Sequence, residues 1–84
     1  MEEFVVYILY SNKYDKKYIG FTSSIIDRFL SHNELATKGW TVKFRPWSAV
    51  HIQFYTTKKE AMQREKFLKS GQGRAWVKNN IKLA

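Results

Sequence analysis

The chain has 84 residues and no cysteine, which indicates a single domain, residues 1–84, built by apolar packing without disulfides or a thiolate metal site. Its 15 lysine and arginine residues outnumber 7 aspartate and glutamate residues, and the charge of +8 favours a nucleic acid partner, with a lysine-rich solubilising surface as the alternative. No apolar run approaches the roughly 20 residues that cross a bilayer, and the N-terminus is acidic where a signal peptide is basic, so we expect a cytoplasmic protein without a membrane partner.

The first part of the chain predicts a β-hairpin. Residues 4–10 are β-branched and aromatic without interruption, which is typical of a strand buried on both faces. Residues 11–16 are polar and rich in turn formers, and strand character resumes over residues 17–21. Two strands joined by a short loop are therefore expected here.

A helix is predicted next, with Thr22 or Ser23 as its N-cap. The apolar residues that follow recur at helical spacing, at Ile25, Ile26, Phe29 and Leu30. This helix should end near residues 32–34. Residues 35–46 contain glycine, proline and scattered charges, and they predict a long loop of the kind that often carries function.

Residues 47–55 alternate in polarity and predict a third strand, with Val50, Ile52 and Phe54 on one side. His51 should lie on the opposite side, toward solvent or a polar rim. The sequence therefore continues the pattern of short strands and helices that began with the hairpin.

Two helices complete the predicted fold. Thr57 and Glu60 form a capping box that opens a helix running to about Lys69, residues 70–73 end it, and residues 74–80 form a short last helix. The predicted order is β-β-α-β-α-α, an α+β fold with a small three-stranded antiparallel sheet flanked by helices.

One carboxylate breaks the apolar pattern of the first of these two helices. Glu65 lies four residues after Ala61 and three before Leu68, on the stripe that should pack against the sheet. An ionised carboxylate is costly to bury unless it is paired or binds a metal. Glu65 is therefore either an edge residue paired with Lys69 or a residue placed for chemistry.

Two further sets of residues admit a structural or a chemical interpretation. Arg28 and His32 are four residues apart and share a helix face, which suits a phosphate but equally suits a solvated flank. Tyr7 and Tyr18 lie on successive strands of the hairpin, where their side chains can meet, although tyrosine in strands most often serves packing.

Taken together, these residues resemble the GIY-YIG nuclease superfamily, and in particular its small stand-alone members. The second signature tripeptide is intact as Tyr18-Ile19-Gly20, while the first reads Val5-Val6-Tyr7 and lacks the glycine. Arg28 and His32 match the arginine and histidine of the following helix, and Glu65 matches the metal-binding glutamate. The resemblance extends from Tyr7 to about residue 76.

The resemblance implies a metal-dependent endonuclease, a phosphodiester hydrolase whose catalytic residues are Tyr7, Tyr18, Arg28, His32 and Glu65. Glu65 would hold one divalent ion, Mg²⁺ or Mn²⁺. Tyr7 would act as a general base or position a water, which requires nearby cations to lower its pKa. Tyr18 would bind the nucleophile or the phosphate. Arg28 would stabilise charge on phosphorus and His32 would assist proton transfer.

Other basic residues are candidates for binding the nucleic acid backbone, with DNA favoured over RNA: Lys17, Lys38, Lys43, Arg45, Arg64, Lys69 and Arg74. Trp40, Trp47 and Trp76 are candidates for stacking on unpaired bases or for core packing. Either Asn79 or Asn80 could supply a further polar group to the site. A protein partner could add specificity that so small a surface lacks.

Two other functions compete with the enzyme. The same fold could bind nucleic acid structure without cutting it, or the chain could be a basic protein-interaction domain. The complete set of tyrosines, arginine, histidine and glutamate favours the enzyme, with cleavage directed by nucleic acid structure and not by sequence.

Overall fold

The computed structural model describes residues 4–30, 32–33 and 39–81, and it confirms the predicted order of strands and helices. The elements are β1 Phe4–Ser11, β2 Lys16–Thr22, α1 Ile25–Leu30, a 3-10 helix Trp40–Phe44, β3 Ser48–Tyr55, α2 Lys58–Lys69 and α3 Gly71–Asn80. The described set does not include the side chain of Ile26 or residues 34–38. The predicted binding residue Lys38 therefore lies outside it.

The three strands form an antiparallel sheet in the order β2-β1-β3. Because β1 lies in the centre, its residues from Val5 to Ser11 are all buried, as the uninterrupted apolar run predicted. In this register Tyr7 lies opposite Gly20 on β2 and opposite Ile52 on β3. The α+β fold class is confirmed.

The two faces of the sheet support two separate apolar clusters. On one face, Val6 and Ile8 pack with Ala61 and Leu68 of α2 and Val77 of α3. On the other face, a second cluster forms around Tyr7, Leu9 and Trp47, with Ile25 and Phe29 of α1 packed against it. The alternation of side chains along β1 therefore divides its residues between a helix-covered core and the face that carries the tyrosine.

The prediction for His51 was wrong. His51 is half-buried, its Nε2 is buried without a hydrogen-bond partner, and its ring lies 5.3 Å from that of Trp76 on α3. The cause is a shift in strand register, because Ile8 pairs with His51 while Leu9 pairs with Ala49. This irregularity lets both Val50 and His51 contact the helix layer, an arrangement that strict alternation does not allow.

Helix α1 begins at Ile25, and the N–H of Arg28 bonds to the carbonyl of Ser24. Ser24 therefore occupies the cap position that we had assigned to Thr22 or Ser23. Thr22 still supports this turn, since its Oγ1 accepts a hydrogen bond from the Ser24 N–H at 3.0 Å. The predicted long loop contains the 3-10 helix Trp40–Phe44.

The last two helices meet at a single residue. The capping box of α2 is confirmed, with Thr57 Oγ1 bonded to both the backbone and the carboxylate of Glu60. Helix α3 begins at Gly71, earlier than predicted, because Ser70 ends α2 and caps α3 through its hydroxyl. Gly73 is buried at this junction, where a Cβ would clash with the Phe67 carbonyl oxygen. Among the described residues, no helix is long and apolar enough to cross a membrane.

Candidate active site

Tyr7 and Tyr18 meet because a glycine leaves space between them. A Cβ at Gly20 would lie 2.6 Å from the Tyr7 hydroxyl oxygen, 2.8 Å from its Cζ and 3.1 Å from Cε1 of Tyr18. The Tyr7 phenol therefore crosses the backbone of β2 at its glycine, and its ring centroid lies 6.2 Å from that of Tyr18. The glycine of the second tripeptide has a steric role that the sequence analysis did not assign, although a glycine inside a strand signals such a close approach.

His32 completes a buried group with the two tyrosines. Its Nε2 lies 3.1 Å from the Tyr7 hydroxyl and its Nδ1 lies 3.0 Å from the Thr41 hydroxyl. Its ring centroid is 4.5 Å from that of Tyr18. The contact with Thr41 comes from the 3-10 helix, and no feature of the sequence pointed to that residue.

Burial lowers the pKa of His32 below its ordinary value of 6.5, and the positive charges of Arg28 and Arg45 lower it further. The imidazole is therefore neutral at neutral pH, and one of its nitrogens is free to accept a proton.

The net shift of the Tyr7 pKa is opposite to the one that a general base requires, although the charge of Arg28 does lower it. Burial raises the pKa of Tyr7 well above its ordinary value, and the Tyr18 phenol and the Glu65 carboxylate raise it further, while Arg28 only partly opposes them. Tyr7 is thus a neutral phenol, and its hydroxyl is hydrogen-bonded to Nε2 of His32. The other ring nitrogen, Nδ1, is hydrogen-bonded to the Thr41 hydroxyl, so both nitrogens of the imidazole are engaged.

The charges of Arg28 and Glu65 both act on the Tyr7 phenol, from different helices. Arg28 is exposed in the last turn of α1. Glu65 is half-buried on α2, and its carboxylate pairs with Lys69 at 3.3 Å. Glu65 therefore makes the predicted pair with Lys69. It also lies close enough to Tyr7 for its charge to act on the phenol.

Polar contacts hold the chain at His32 and at the residue that follows it. The Arg45 Nε donates to the carbonyl of His32 at 2.6 Å. The Asn33 amide donates to the Trp47 carbonyl at 2.9 Å and accepts from the Trp47 N–H at 2.6 Å. The Trp47 indole in turn donates to the Thr41 carbonyl at 2.8 Å. These bonds tie the segment after α1 to the segment before β3, so the imidazole is held by its surroundings on several sides.

A cleft at the β2 edge of the sheet lies beside this group. It joins the two layers of the molecule, since Tyr18 lines it from the tyrosine face and Leu68 lines it from the helix layer. Its other lining residues are mostly basic: Asp15, Lys16, Lys17, Ile19, Trp40, Lys69 and Arg74. The cleft suits a polyanion that passes the tyrosines.

The predicted nucleic-acid-binding residues are not all in one place. Lys17, Lys69 and Arg74 line the cleft, and Lys43 is exposed on the 3-10 helix. Arg45 is bonded to the backbone of His32. Arg64 donates to the Gln53 side chain at 3.0 Å and lies over the rings of Phe67 and Trp76, so its guanidinium is engaged within the fold.

The three tryptophans differ sharply in exposure. Trp47 is 2% exposed and Trp76 is half-buried against His51, whereas Trp40 is 48% exposed at the cleft. Trp40 is therefore the tryptophan that a base could reach. The two asparagines near the end of the fold are exposed, and the Asn80 amide bonds to the Trp76 carbonyl of its own helix.

A divalent ion at this site would depend on a single carboxylate. Within the described residues, no group of three or more histidine, cysteine, aspartate or glutamate side chains is placed to hold a metal. Glu65 nevertheless fits the chemistry of Mg²⁺, which often takes one or two carboxylates and completes its shell with water and substrate phosphate oxygens. Such an ion would replace the Lys69 ammonium beside Glu65.

Comparisons with known proteins identify the family and the fold. The sequence matches the family described as GIY-YIG catalytic domain over residues 3–80. It is 37% identical over 59 residues to a UPF0213 protein of Bacillus velezensis. This alignment covers 70% of this chain and 59% of the relative, so the match spans less than two thirds of the relative. The solution NMR structure of a UPF0213 protein from Bacillus halodurans superposes with a TM-score of 0.56 at 24% identity, covering 92% of this chain and 83% of that one, and it shows the same fold. The chain belongs to the GIY-YIG catalytic domain family, a nuclease superfamily.

Proposed function

We propose that the protein is a metal-dependent endonuclease that hydrolyses phosphodiester bonds in nucleic acid, with DNA favoured over RNA. The observation that carries the proposal is the contact between the Tyr7 hydroxyl and a neutral His32, beside a basic cleft and within reach of the Glu65 charge. A cluster of titratable side chains with perturbed pKa values beside a cleft is a feature of catalytic sites, and it supports this proposal.

The proton of the attacking water leaves through a relay. The water transfers a proton to the Tyr7 oxygen as Tyr7 transfers its own proton to Nε2 of His32, so no free phenolate forms. This route suits a phenol whose pKa is raised, because a concerted transfer avoids a buried negative charge. Tyr18, at the cleft, donates a hydrogen bond that orients the water or the phosphate.

Charge on the phosphate is balanced from two sides. Arg28 offers a permanent positive charge near Tyr7, suited to the phosphoryl oxygens as negative charge builds on them. Glu65 would hold the divalent ion, which when bound supplies Lewis-acid stabilisation of the phosphoryl oxygen and of the leaving 3′ oxygen. Lys17, Lys69 and Arg74 bind the flanking backbone.

Recognition in this proposal follows nucleic acid structure and not base sequence. The cations of the cleft contact phosphates, which are the same in every sequence. The surface of so small a domain limits the number of base contacts, so a protein partner could add specificity.

A cleavage assay with two matched variants tests the proposal. Branched, flapped, single-stranded and double-stranded DNA and RNA are incubated with Mg²⁺ or Mn²⁺ and with wild type, Glu65→Gln or Glu60→Gln. Glu60 lies on the same helix but is exposed in the capping box, where glutamine also serves, so Glu60→Gln should cleave like wild type.

Glu65→Gln should bind the same substrates and lose cleavage by a factor of about 100 or more. Binding without cleavage by all three proteins would instead identify a non-catalytic nucleic-acid-binding module. Absence of binding at low salt would favour a protein-interaction domain.

A further inference from the structure

Three aromatic side chains form a strip that leads away from the cleft. Trp40 is 48% exposed and Tyr14 is 42% exposed, and Phe44 lies between them. The ring centroids of Trp40 and Phe44 are 4.7 Å apart, and those of Phe44 and Tyr14 are 5.5 Å apart. The three rings, which we call the aromatic strip, are contributed by the β1–β2 turn and by the 3-10 helix.

Lysine side chains accompany the aromatic strip. The Lys13 ammonium lies 5.4 Å from the centroid of Tyr14, and the Lys16 ammonium lies 5.6 Å from that of Phe44. Rings interleaved with ammonium groups match a single strand of nucleic acid, whose bases stack on aromatic faces while its phosphates pair with cations. A duplex keeps its bases stacked inside and cannot use the rings in this way.

The aromatic strip leads into the cleft beside the proposed active site. Trp40 and Lys16 line the same cleft as Tyr18, so a strand lying on the strip enters the cleft at that tyrosine. The turn that carries Tyr14 is fixed, because the Tyr10 hydroxyl donates to the Asp15 carboxylate at 2.7 Å. Asp15 is the acidic residue among those that line the cleft, and this hydrogen bond already engages its carboxylate.

Three other large apolar side chains of the described residues are exposed, Ile52, Phe54 and Met62, and of these Phe54 alone is aromatic. Ile52 and Phe54 are 42% and 64% exposed on the edge strand β3, and Phe54 lines neither the cleft nor the strip. Phe54 is therefore an exposed aromatic side chain that serves as a matched control.

We infer that the aromatic strip binds unpaired nucleotides next to the bond that is cut, so the preferred substrate has a single-stranded segment there. Trp40 is the residue nearest the cleft and sets this specificity by stacking on a base. The inference rests on the proposed function for its link to cleavage, whereas binding of a single strand to the strip stands independently of catalysis.

Binding without cleavage tests the inference. The Glu65→Gln protein in EDTA is titrated with a fluorescent oligothymidylate of about 12 nucleotides and with a blunt duplex of similar length, by anisotropy at low salt. Adding Trp40→Ala should weaken single-strand binding by at least about fivefold and duplex binding by less than about twofold. Trp40→Phe should restore most of the single-strand affinity, and Phe54→Ala should leave both affinities unchanged.

Tyr14→Leu, at the other end of the strip, provides a second variant on an exposed turn, and circular dichroism checks the fold of each protein. Equal losses for single strand and duplex in folded Trp40→Ala and Tyr14→Leu proteins, or no loss for either, would overturn the inference. These outcomes differ from failure of the proposed function, which would appear as normal single-strand binding by a wild-type protein that never cleaves.

Discussion

The Tyr7 hydroxyl is hydrogen-bonded to Nε2 of His32 across 3.1 Å, and the opposite nitrogen of the imidazole faces the Thr41 hydroxyl at 3.0 Å. The pKa of Tyr7 is raised and the pKa of His32 is lowered, so both side chains are neutral in the resting site. The pair therefore needs a substrate, with its accompanying charges, before a proton moves along it.

The pH dependence of cleavage should follow His32. The relay requires a neutral imidazole, and burial together with Arg28 and Arg45 lowers the pKa of His32 below 6.5. Single-turnover cleavage should therefore fall on the acid side, below pH 6.5, and reach a plateau by neutral pH, because protonation removes the acceptor. His32→Asn should lower the plateau rate by about 100-fold or more.

A cleavage rate that keeps rising toward the ordinary tyrosine pKa of 10.0 would contradict the relay, since that profile would mark a free Tyr7 phenolate as the base. Binding of substrate by His32→Asn, measured in parallel, separates loss of chemistry from loss of affinity.

Gly20 should be intolerant of even one added methyl group. Gly20→Ala places a Cβ 2.6 Å from the Tyr7 hydroxyl oxygen, so the phenol or the strand must move. We expect a loss of roughly 1–3 kcal/mol in the free energy of unfolding, together with loss of cleavage. Gly71→Ala is the control, because the nearest atom to its added Cβ is 4.0 Å away on Arg74.

Chemical denaturation of both glycine variants provides the measurement. Gly71→Ala should be neutral or stabilising by up to about 1 kcal/mol, since alanine is the better helix former. Equal stability of the two variants would show that Tyr7 does not occupy the space above Gly20.

The sequence predicted the elements well where a single local pattern governed them. The uninterrupted apolar run of β1 and the capping box at Thr57 each gave the right element. Prediction failed where two segments interact. The pattern of residues 70–73 predicts the end of a helix, but Gly71 and Gly73 lie in the first turn of α3, because Ser70 caps that helix. Glycine is required at position 73 because α2 and α3 approach too closely there for a Cβ.

In the candidate site too, local patterns predicted the residues, whereas interactions between segments were missed. Spacing and resemblance selected Tyr7, Tyr18 and His32, which the structure brings into contact. The direction of the Tyr7 pKa shift depends on burial by several elements, and no local pattern reports that. The same holds for the contact between His32 and Thr41, which joins residues nine apart through a 3-10 helix that the sequence did not predict.

Two arginines should respond differently to salt. Arg74 is exposed at the cleft, so Arg74→Gln should lower the slope of log affinity against log salt concentration by about 1. Arg64 is engaged by Gln53 and two rings, so Arg64→Gln should leave the slope unchanged and cost roughly 1–2 kcal/mol of stability. Binding titrations at several salt concentrations and thermal unfolding give both quantities. A lower slope in Arg64→Gln alone would contradict the assignment of the cleft.

Lys69 should compete with a divalent ion for Glu65. Its ammonium lies 3.3 Å from the carboxylate, so Lys69→Met should tighten Mn²⁺ binding by about twofold to fivefold, as expected for a partly exposed pair. Lys66→Met on the exposed side of the same helix should change Mn²⁺ affinity little. Calorimetric titration with Mn²⁺ measures this directly. Weaker Mn²⁺ binding in Lys69→Met would show that the ion is held elsewhere.

In the proposed mechanism, Tyr7 and Glu65, on different layers of the fold, belong to one catalytic centre. Single-turnover cleavage by Tyr7→Phe, Glu65→Gln and the double variant tests it most directly, with substrate binding measured for each. We predict that each single variant loses most of the activity and that the double variant is little worse than either one, because residues that act as a unit are strongly non-additive. Undiminished cleavage by either single variant, or losses that simply multiply in the double variant, would contradict the claim.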